Sequence, residues 1–262
     1  MAGFTDKQIS EVYKDILHTD NSNTGISTSV KTITCGDGDT TALVLSNRNV
    51  RVDPASDTTT TFIVNDSDGN RLIGVDSTND LVKLGIGQHT ANTQYAYFNI
   101  GQTESSGFSA NTHYGLSYQH ANYSSAITGI VSFGTGTDPA TSLSLSSGAE
   151  NFVPVLWYIP TAITIDEVRV IGSTDAADAL NFHLYSYAMA TGSGTGAGDL
   201  SDGTLLAYNG SLYATGDDRI TSTTLTIDSA NVAADRVVLA FVENDGDTND
   251  ITAQLIVKYH YQ

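Results

Sequence analysis

The stretch TFIVNDSDGNRLIGVDSTNDLVKLGIG, residues 61–87, limits what this chain can become more than any other. It holds three short apolar runs separated by Asp-, Asn- and Gly-rich turns, and then the pattern stops. In the last run Val82, Leu84 and Ile86 alternate with Lys83, Gly85 and Gly87, the period-2 signature of a strand with one buried face. A three-stranded piece with a single apolar face is too thin to bury a core by itself. Two arrangements resolve this. Either the piece lies against its own chain as extra strands, or three copies face one another around an axis, each sheet forming one wall of a prism. The second is favoured, because it buries the apolar face and blunts the sheet edges by pairing between chains.

Residues 30–52 follow the same plan, with VKTIT, TALVLS and VRV separated by CGDGD and NRN. The two modules match in size and turn chemistry, although not closely enough in identity to be a firm repeat. Ahead of them, FTDKQISEVYKDIL at 4–17 predicts a helix, with Ile9, Val12, Tyr13, Ile16 and Leu17 recurring on one face. Thr5 and Gln8 form a capping box, and Phe4 with Ile9 fits a hydrophobic staple. About four turns are too short to be stable alone. The helix is therefore expected to dock and to serve as an anchor through Phe4, Ile9, Val12, Tyr13, Ile16 and Leu17.

This gives four segments: an anchor helix and linker at 1–25, β-rich stalk modules at 26–88, an irregular β-rich shoulder at 89–148, and a head domain at 149–262. In the shoulder, YAYFNI, GLSY, ITGIVSF and TSLSLS are candidate strands. In the head, strands follow at near-regular spacing, which suggests an antiparallel sandwich of jelly-roll or related type. There Leu180, Phe182 and Leu184 alternate with Asn181, His183 and Tyr185, as in a strand with one wet face. ATGSGTGAGDLSDG at 190–203 reads as a Gly-rich loop. The expected fold class is all-β with one short N-terminal helix, a trimeric β-prism-like stalk and a jelly-roll-like antiparallel head.

Charge bears on partners. The net charge is −18, a field that repels nucleic acid and anionic membranes, so neither is an expected partner. Most of the acids are Asp beside Gly, Asn, Ser and Thr, where the carboxylate bonds nearby backbone N–H groups in turns. Cys35 is the single cysteine, so no intramolecular disulfide forms. MAGFTDKQIS has no basic start and no apolar core, so no signal peptide is expected. No apolar run approaches about 18 residues, which argues against a membrane-spanning helix. The protein is expected to be made in a cytoplasm.

Chemistry is sparse. The serines form no G-x-S-x-G elbow. A glycosidase needs two carboxyl groups facing each other across a sugar. Of the five glutamates, Glu167 and Glu243 fall in predicted strands, where an outward, solvated carboxylate is the ordinary case. NDSDGN at 65–70 and ENDGDTND at 243–250 gather oxygen ligands, Asp245, Asp247 and Asp250 among them. They lack the full calcium-loop pattern, and Asp-Gly is a strong hairpin signal. A three-His site on a trimer axis would use His89, but a surface histidine is the plainer reading. No enzyme activity, metal or cofactor is expected. Tyr95, Tyr97, Tyr114, Tyr118 and Tyr123 cluster in the shoulder. Tyr95, Tyr97 and Tyr118 are the candidates for stacking on a glycan, set against interface or core packing, which is favoured.

One family resemblance adds to this. VDSTNDLVKLGIG resembles the V-D-S-T … V-x-x-G-I-G element of stalks in bacteriophage fibre and decoration proteins. NSNTGISTSVKTITCGDGDTTALVLSNRNVRV is similar to the segment that often precedes it, with T-G-I, a D-G-D turn and a strand ending in basic residues. Together they cover residues 21–87. FVPVLWYIPTAITIDEVRVIGSTD leading into LNFHLYSYA looks like the jelly-roll heads of such proteins. The resemblance implies a homotrimeric, non-enzymatic structural protein on the virion surface. It would be a short fibre or capsid decoration anchored by its N-terminus on capsid or tail components. The alternative is a receptor-binding tail fibre that recognises a host surface glycan. The chain departs from long tail fibres in lacking a large adaptor domain and a recognisable self-cleaving chaperone.

Overall fold

A computed structural model describes residues 17–19, 25–36, 38–102, 111–118, 132–143, 155–174, 178–189, 199–209, 213–215, 219–244 and 251–262. Every regular element in them is a β-strand, and every strand pairing is antiparallel. Phe4, Ile9, Val12, Tyr13 and Ile16 of the expected anchor helix lie outside the described residues. Leu17 is described and is exposed, one residue before the first strand. Two compact units divide the chain, Met1–Ala91 and Asn92–Gln262.

The described residues of the first unit form two four-stranded meanders. One runs β1 (His18–Thr19), β2 (Lys31–Thr34), β3 (Thr40–Leu45) and β4 (Val50–Val52), each strand paired with the next. The other runs β5 (Phe62–Asn65), β6 (Arg71–Asp76), β7 (Leu81–Leu84) and β8 (His89–Thr90) in the same order. Each therefore adds a short fourth strand to the three read from sequence, and the modules share one topology. Turn chemistry sets the hairpins. Gly69 takes φ 85° between β5 and β6, and Asp80 takes φ 56° between β6 and β7. Both lie in the left-handed region that Gly and Asp adopt most readily.

The second unit begins with β9 (Thr93–Gln102), β10 (Thr112–Gly115), β11 (Ser117–Tyr118), β12 (Ser132–Thr135) and β13 (Trp157–Ile159). Then come β14 (Ile163–Thr174), β15 (Asp178–Met189), β16 (Leu200–Tyr208) and β17 (Tyr213–Thr215). It closes with β18 (Thr221–Thr224), β19 (Thr226–Ile227), β20 (Asn231–Val232), β21 (Arg236–Asn244) and β22 (Ile251–Tyr261). A front sheet has the order β11-β9-β22-β14-β18, and a back sheet has the order β12-β10-β21-β15-β16-β19. Short strands complete the ladders: β20 on β14, β13 on β21 and β17 on β15.

The two sheets share one core, so the unit is a β-sandwich. Phe98, Val168, Val170, Leu255 and Val257 of the front sheet pack with Leu180, Phe182, Leu184, Val238, Ala240 and Val242 of the back sheet. At two edges one strand serves both sheets. β10 runs on the back sheet, turns at buried Leu116 and continues as β11 on the front sheet. β18 does the reverse at buried Leu225, passing into β19. The amides of both leucines stay in the ladders, Leu116 N donating to Ala240 O and Leu225 N to Val168 O.

Two expectations change here. Residues 89–148, set apart as a shoulder in the sequence reading, supply β9 and β10, which pair with β22 and β21. The segment is thus split across both sheets of the sandwich, because its strands find partners more than a hundred residues away. The second change concerns the back sheet, whose outer face is not wet. Phe133, Leu143 and Val155, from the segment between β11 and β13, cover Tyr185, Tyr187, Leu200, Val237, Leu239 and Phe241 in a second buried cluster. His183 and Tyr185 are accordingly buried. Likewise Leu200–Gly203, read as loop, belong to β16.

Candidate functional site

The candidate site in the first unit is one face of its second meander. Phe62 lies opposite Val75 and Val75 opposite Val82, while Val64 lies opposite Ile73 and Ile73 opposite Leu84. Residues directly opposite share a face, as do residues two apart on one strand. Phe62, Val64, Ile73, Val75, Val82 and Leu84 therefore form one continuous apolar face. Phe62 is 43% exposed, Ile73 37%, Val82 44% and Leu84 44%, with Ile86 at 73% just beyond. The first meander has a similar face, with Leu43 opposite Val52 and Leu45 opposite Val50.

The other face of this sheet carries its polar anchors beside Ile63, which is 37% exposed. Asp76 is buried, and its carboxylate accepts from Asn79 N, from Asn79 Nδ2 and from Lys83 Nζ at 3.2 Å. The Asn79 side chain, with Lys83 behind it, holds the Asp76 carboxyl below its usual range. Ser77 ties the incoming chain: its amide donates to Thr58 O and its hydroxyl lies 2.6 Å from Thr61 Oγ1. Gly85, at φ 70°, turns the chain after β7, where the Gln88 amide donates to Gly85 O and its side chain to Arg71 O. The VDST…GIG residues are thus turn and register devices. They set the sheet that presents the apolar face.

The tyrosines separate. Tyr95 and Tyr97 are exposed on the outer face of the front sheet. Tyr95 lies opposite Lys258, which lies opposite Glu167; Tyr97 lies opposite Ile256, which lies opposite Arg169. Beside them Gln254 Nε2 donates to Asn99 Oδ1 at 2.8 Å. Tyr118 instead joins the inner side, stacked on Trp157 at 5.7 Å and tilted on Phe98 at 5.3 Å. The structure brings Tyr95 and Tyr97 together and leaves Tyr118 out. Tyr114 is buried in the core, and Tyr123 lies outside the described residues.

The metal and acid–base candidates resolve in part. The Asp66 carboxylate is occupied by its own turn, accepting from Asp68 N, Asn70 N and Asn70 Nδ2. Asp245, Asp247 and Asp250 lie outside the described residues. Among the described residues, no group of three or more His, Cys, Asp or Glu side chains is placed to hold a metal. His89 is exposed in β8. Glu243 is not solvated as expected: it is buried and accepts from Asn181 Nδ2 at 2.9 Å.

Sequence reasoning missed a histidine pair. His113 and His183 are buried on the outer face of the back sheet, their rings edge to face at 5.2 Å. The available signal was FHLYSY at 182–187, where large side chains occupy both parities of a strand and so predict burial on both faces.

No family model and no curated protein matches this chain. Among solved structures, it aligns with a chain in the structure of infectious bursal disease virus Gx strain, at 10% identity and TM-score 0.18. The alignment covers 88% of this chain and 50% of the viral chain, so this chain spans about half the length of its neighbour. A likeness at that score carries no argument about fold or function.

Proposed function

We propose that this protein is a non-enzymatic structural protein of the bacteriophage virion surface, a homotrimeric short fibre or capsid decoration protein with an outward β head. The observation that carries the reading is the apolar face of β5, β6 and β7. Contiguous exposed apolar faces mark association sites, and here six apolar side chains on three adjacent strands make one. Three copies around an axis give that face a partner and form the β-prism stalk that the VDST…GIG resemblance implies. The head reading is supported by strand order. Counted along the chain, the eight principal strands β9, β10, β14, β15, β16, β18, β21 and β22 alternate as 1-8-3-6 and 2-7-4-5, the order of a jelly roll. The segment before the first meander is assigned to attachment on capsid or tail components.

Native mass spectrometry of the purified chain tests the stalk. The expected mass is about three times the 27.6 kDa chain. Val82→Glu with Leu84→Glu should return it to the single-chain mass while near-ultraviolet circular dichroism shows the head still folded. A wild-type chain that is monomeric at micromolar concentration would remove the physical basis of the proposal. Attachment is tested separately: deleting residues 1–17, which leaves β1 in place, should abolish incorporation into particles.

A receptor-binding tail fibre is the second reading, favoured by Tyr95 and Tyr97 standing together beside an amide pair on an open sheet face. Binding to a host glycan that is lost in Tyr95→Ala and Tyr97→Ala, and kept in Tyr118→Phe, would select it.

A further inference from the structure

We propose that the segment Ser132–Leu143 is an acid-released cover, closed over the back sheet while His183 is uncharged. The device is independent of the virion reading and rests on the second unit alone.

The outer face of the back sheet is arranged in rows. His113, Glu243 and Asn181 lie opposite one another across β10, β21 and β15, and Gly115, Phe241 and His183 form the next row. Leu239 opposite Tyr185 and Val237 opposite Tyr187 follow. Onto these rows the cover is pinned at several points. Tyr187 Oη donates to Ala140 O at 2.9 Å, and Gly203 N donates to Thr141 O at 2.9 Å. Leu143 and Leu200 exchange two backbone bonds, and Phe133 packs on Phe241 at 4.9 Å. Two glycines permit the close approach. A Cβ on Gly115 would stand 2.8 Å from the Phe133 ring, and one on Gly203 would stand 2.8 Å from Thr141 Cα.

The start of the cover is also laddered to the sheet edge, β12 pairing with β10 at Thr135–Thr112 and Ser132–Tyr114, and the histidines add two further contacts. His113 Nε2 lies 2.9 Å from Gly136 O, an acceptor, so that nitrogen carries the proton and Nδ1 is a bare lone pair in the neutral ring. His183 Nε2 lies 3.5 Å from Asp138 Oδ1. Both Nδ1 atoms are buried without a hydrogen-bond partner among the described residues. A proton added to His183 therefore places a cation about 5 Å from the His113 ring, in a site closed to water.

The charged and titratable groups facing the pair do not offset this. Tyr208 on β16, directly opposite His183, brings a phenol and not a carboxylate. Glu243 on β21 is engaged by the Asn181 amide. Asp138 on the cover is 60% exposed and its contact with His183 is long. Tyr185 on β15 is a neutral phenol whose own ionisation burial pushes up to about 12. Burial, with His113 alongside, accordingly lowers His183 to about 4, against the smaller opposing pull of Asp138. Lifting the cover returns the ring to water and to an ordinary value near 6.5. The closed form is thus fully favoured above about pH 6.5 and loses ground as pH falls towards 4. Release exposes Phe133, Tyr185, Tyr187 and Phe241, whereas the front sheet holds its ladders.

Hydrogen exchange of the full-length protein between pH 7.5 and 4.5, corrected for intrinsic rates, tests the proposal. Protection in 132–143 should fall at least tenfold while the amides of β9, β14 and β22 keep theirs, and His183→Phe should remove that dependence. Unchanged protection, loss shared equally with the front sheet, or the same dependence in His183→Phe would each overturn it. Should the variant fail to fold, the wild-type imidazole titration followed by NMR decides: His183 titrating below pH 6 supports the cover, and a value at or above 6.5 ends the proposal.

Discussion

Gly203 marks, with Gly115, the tightest glycine approach among the described residues of the second unit. Its missing side chain matters because a Cβ there would stand 2.8 Å from Thr141 Cα and 3.0 Å from Thr141 O, backbone atoms that cannot rotate aside. The glycine amide is also one of the links to that backbone, donating to Thr141 O. Gly203→Ala is expected to destabilise the unit by about 1–3 kcal/mol, the usual range for overpacking. For a domain of this size each kcal/mol lowers the midpoint of thermal unfolding by roughly 2–4 °C. Gly101, with open space around its Cβ position, is the matched control and should tolerate alanine with a much smaller change.

At the scale of the element, the strands that change sheets hold the sandwich shut at opposite edges. Leu116 and Leu225 are the buried pivots. Leu116→Ala should cost about 2–5 kcal/mol, as buried Leu→Ala changes do, and denaturant unfolding measures it. Much of this architecture was legible in the residues. ITIDEVRV places apolar side chains at 163 and 165, then at 168 and 170, and that change of parity is the bulge between Ile165 and Glu167 opposite β22. The three runs at 61–87 became β5, β6 and β7 in register. The fate of 89–148 was hidden, because ownership of a strand depends on partners far along the chain and periodicity reports only local alternation. The histidine pair was obscured for a related reason: alternation at 180–185 was read as one dry and one wet face, and nothing local announces that another segment will cover the second. Tyr95, Tyr97 and Tyr118 differ in the same way. All three sit in similar polar–aromatic sequence, and only the switch at Leu116 turns Tyr118 inwards.

The whole molecule carries a charge problem that its proposed assembly must tolerate. Each chain has a net charge of −18, so gathering three around one axis brings like charges together and opposes association. The exposed apolar face has to outweigh that repulsion. Added salt screens charge with a Debye length of about 10 Å at 0.1 M and about 3 Å at 1 M. The trimer is therefore expected to tighten between low and high salt, with a smaller dissociation constant by sedimentation equilibrium. A dissociation constant that grows with salt would mean ion pairs between chains carry the contact.

The position of β22 has a consequence for how the head is made. This strand is the centre of the front sheet, with β9 on one side along ten residue pairs and β14 on the other. It also follows the other described strands of the unit in sequence and leaves the ribosome after them. Until it emerges, β9 and β14 have their main edges open and the inner face of the front sheet has no middle. The meanders at 18–90 are synthesised long before, and in the proposed trimer they would have time to find sister chains first. A nascent chain halted at residue 250 would carry a sheet with a hole through it, not a smaller head, so quality control at this unit depends on residues 251–262.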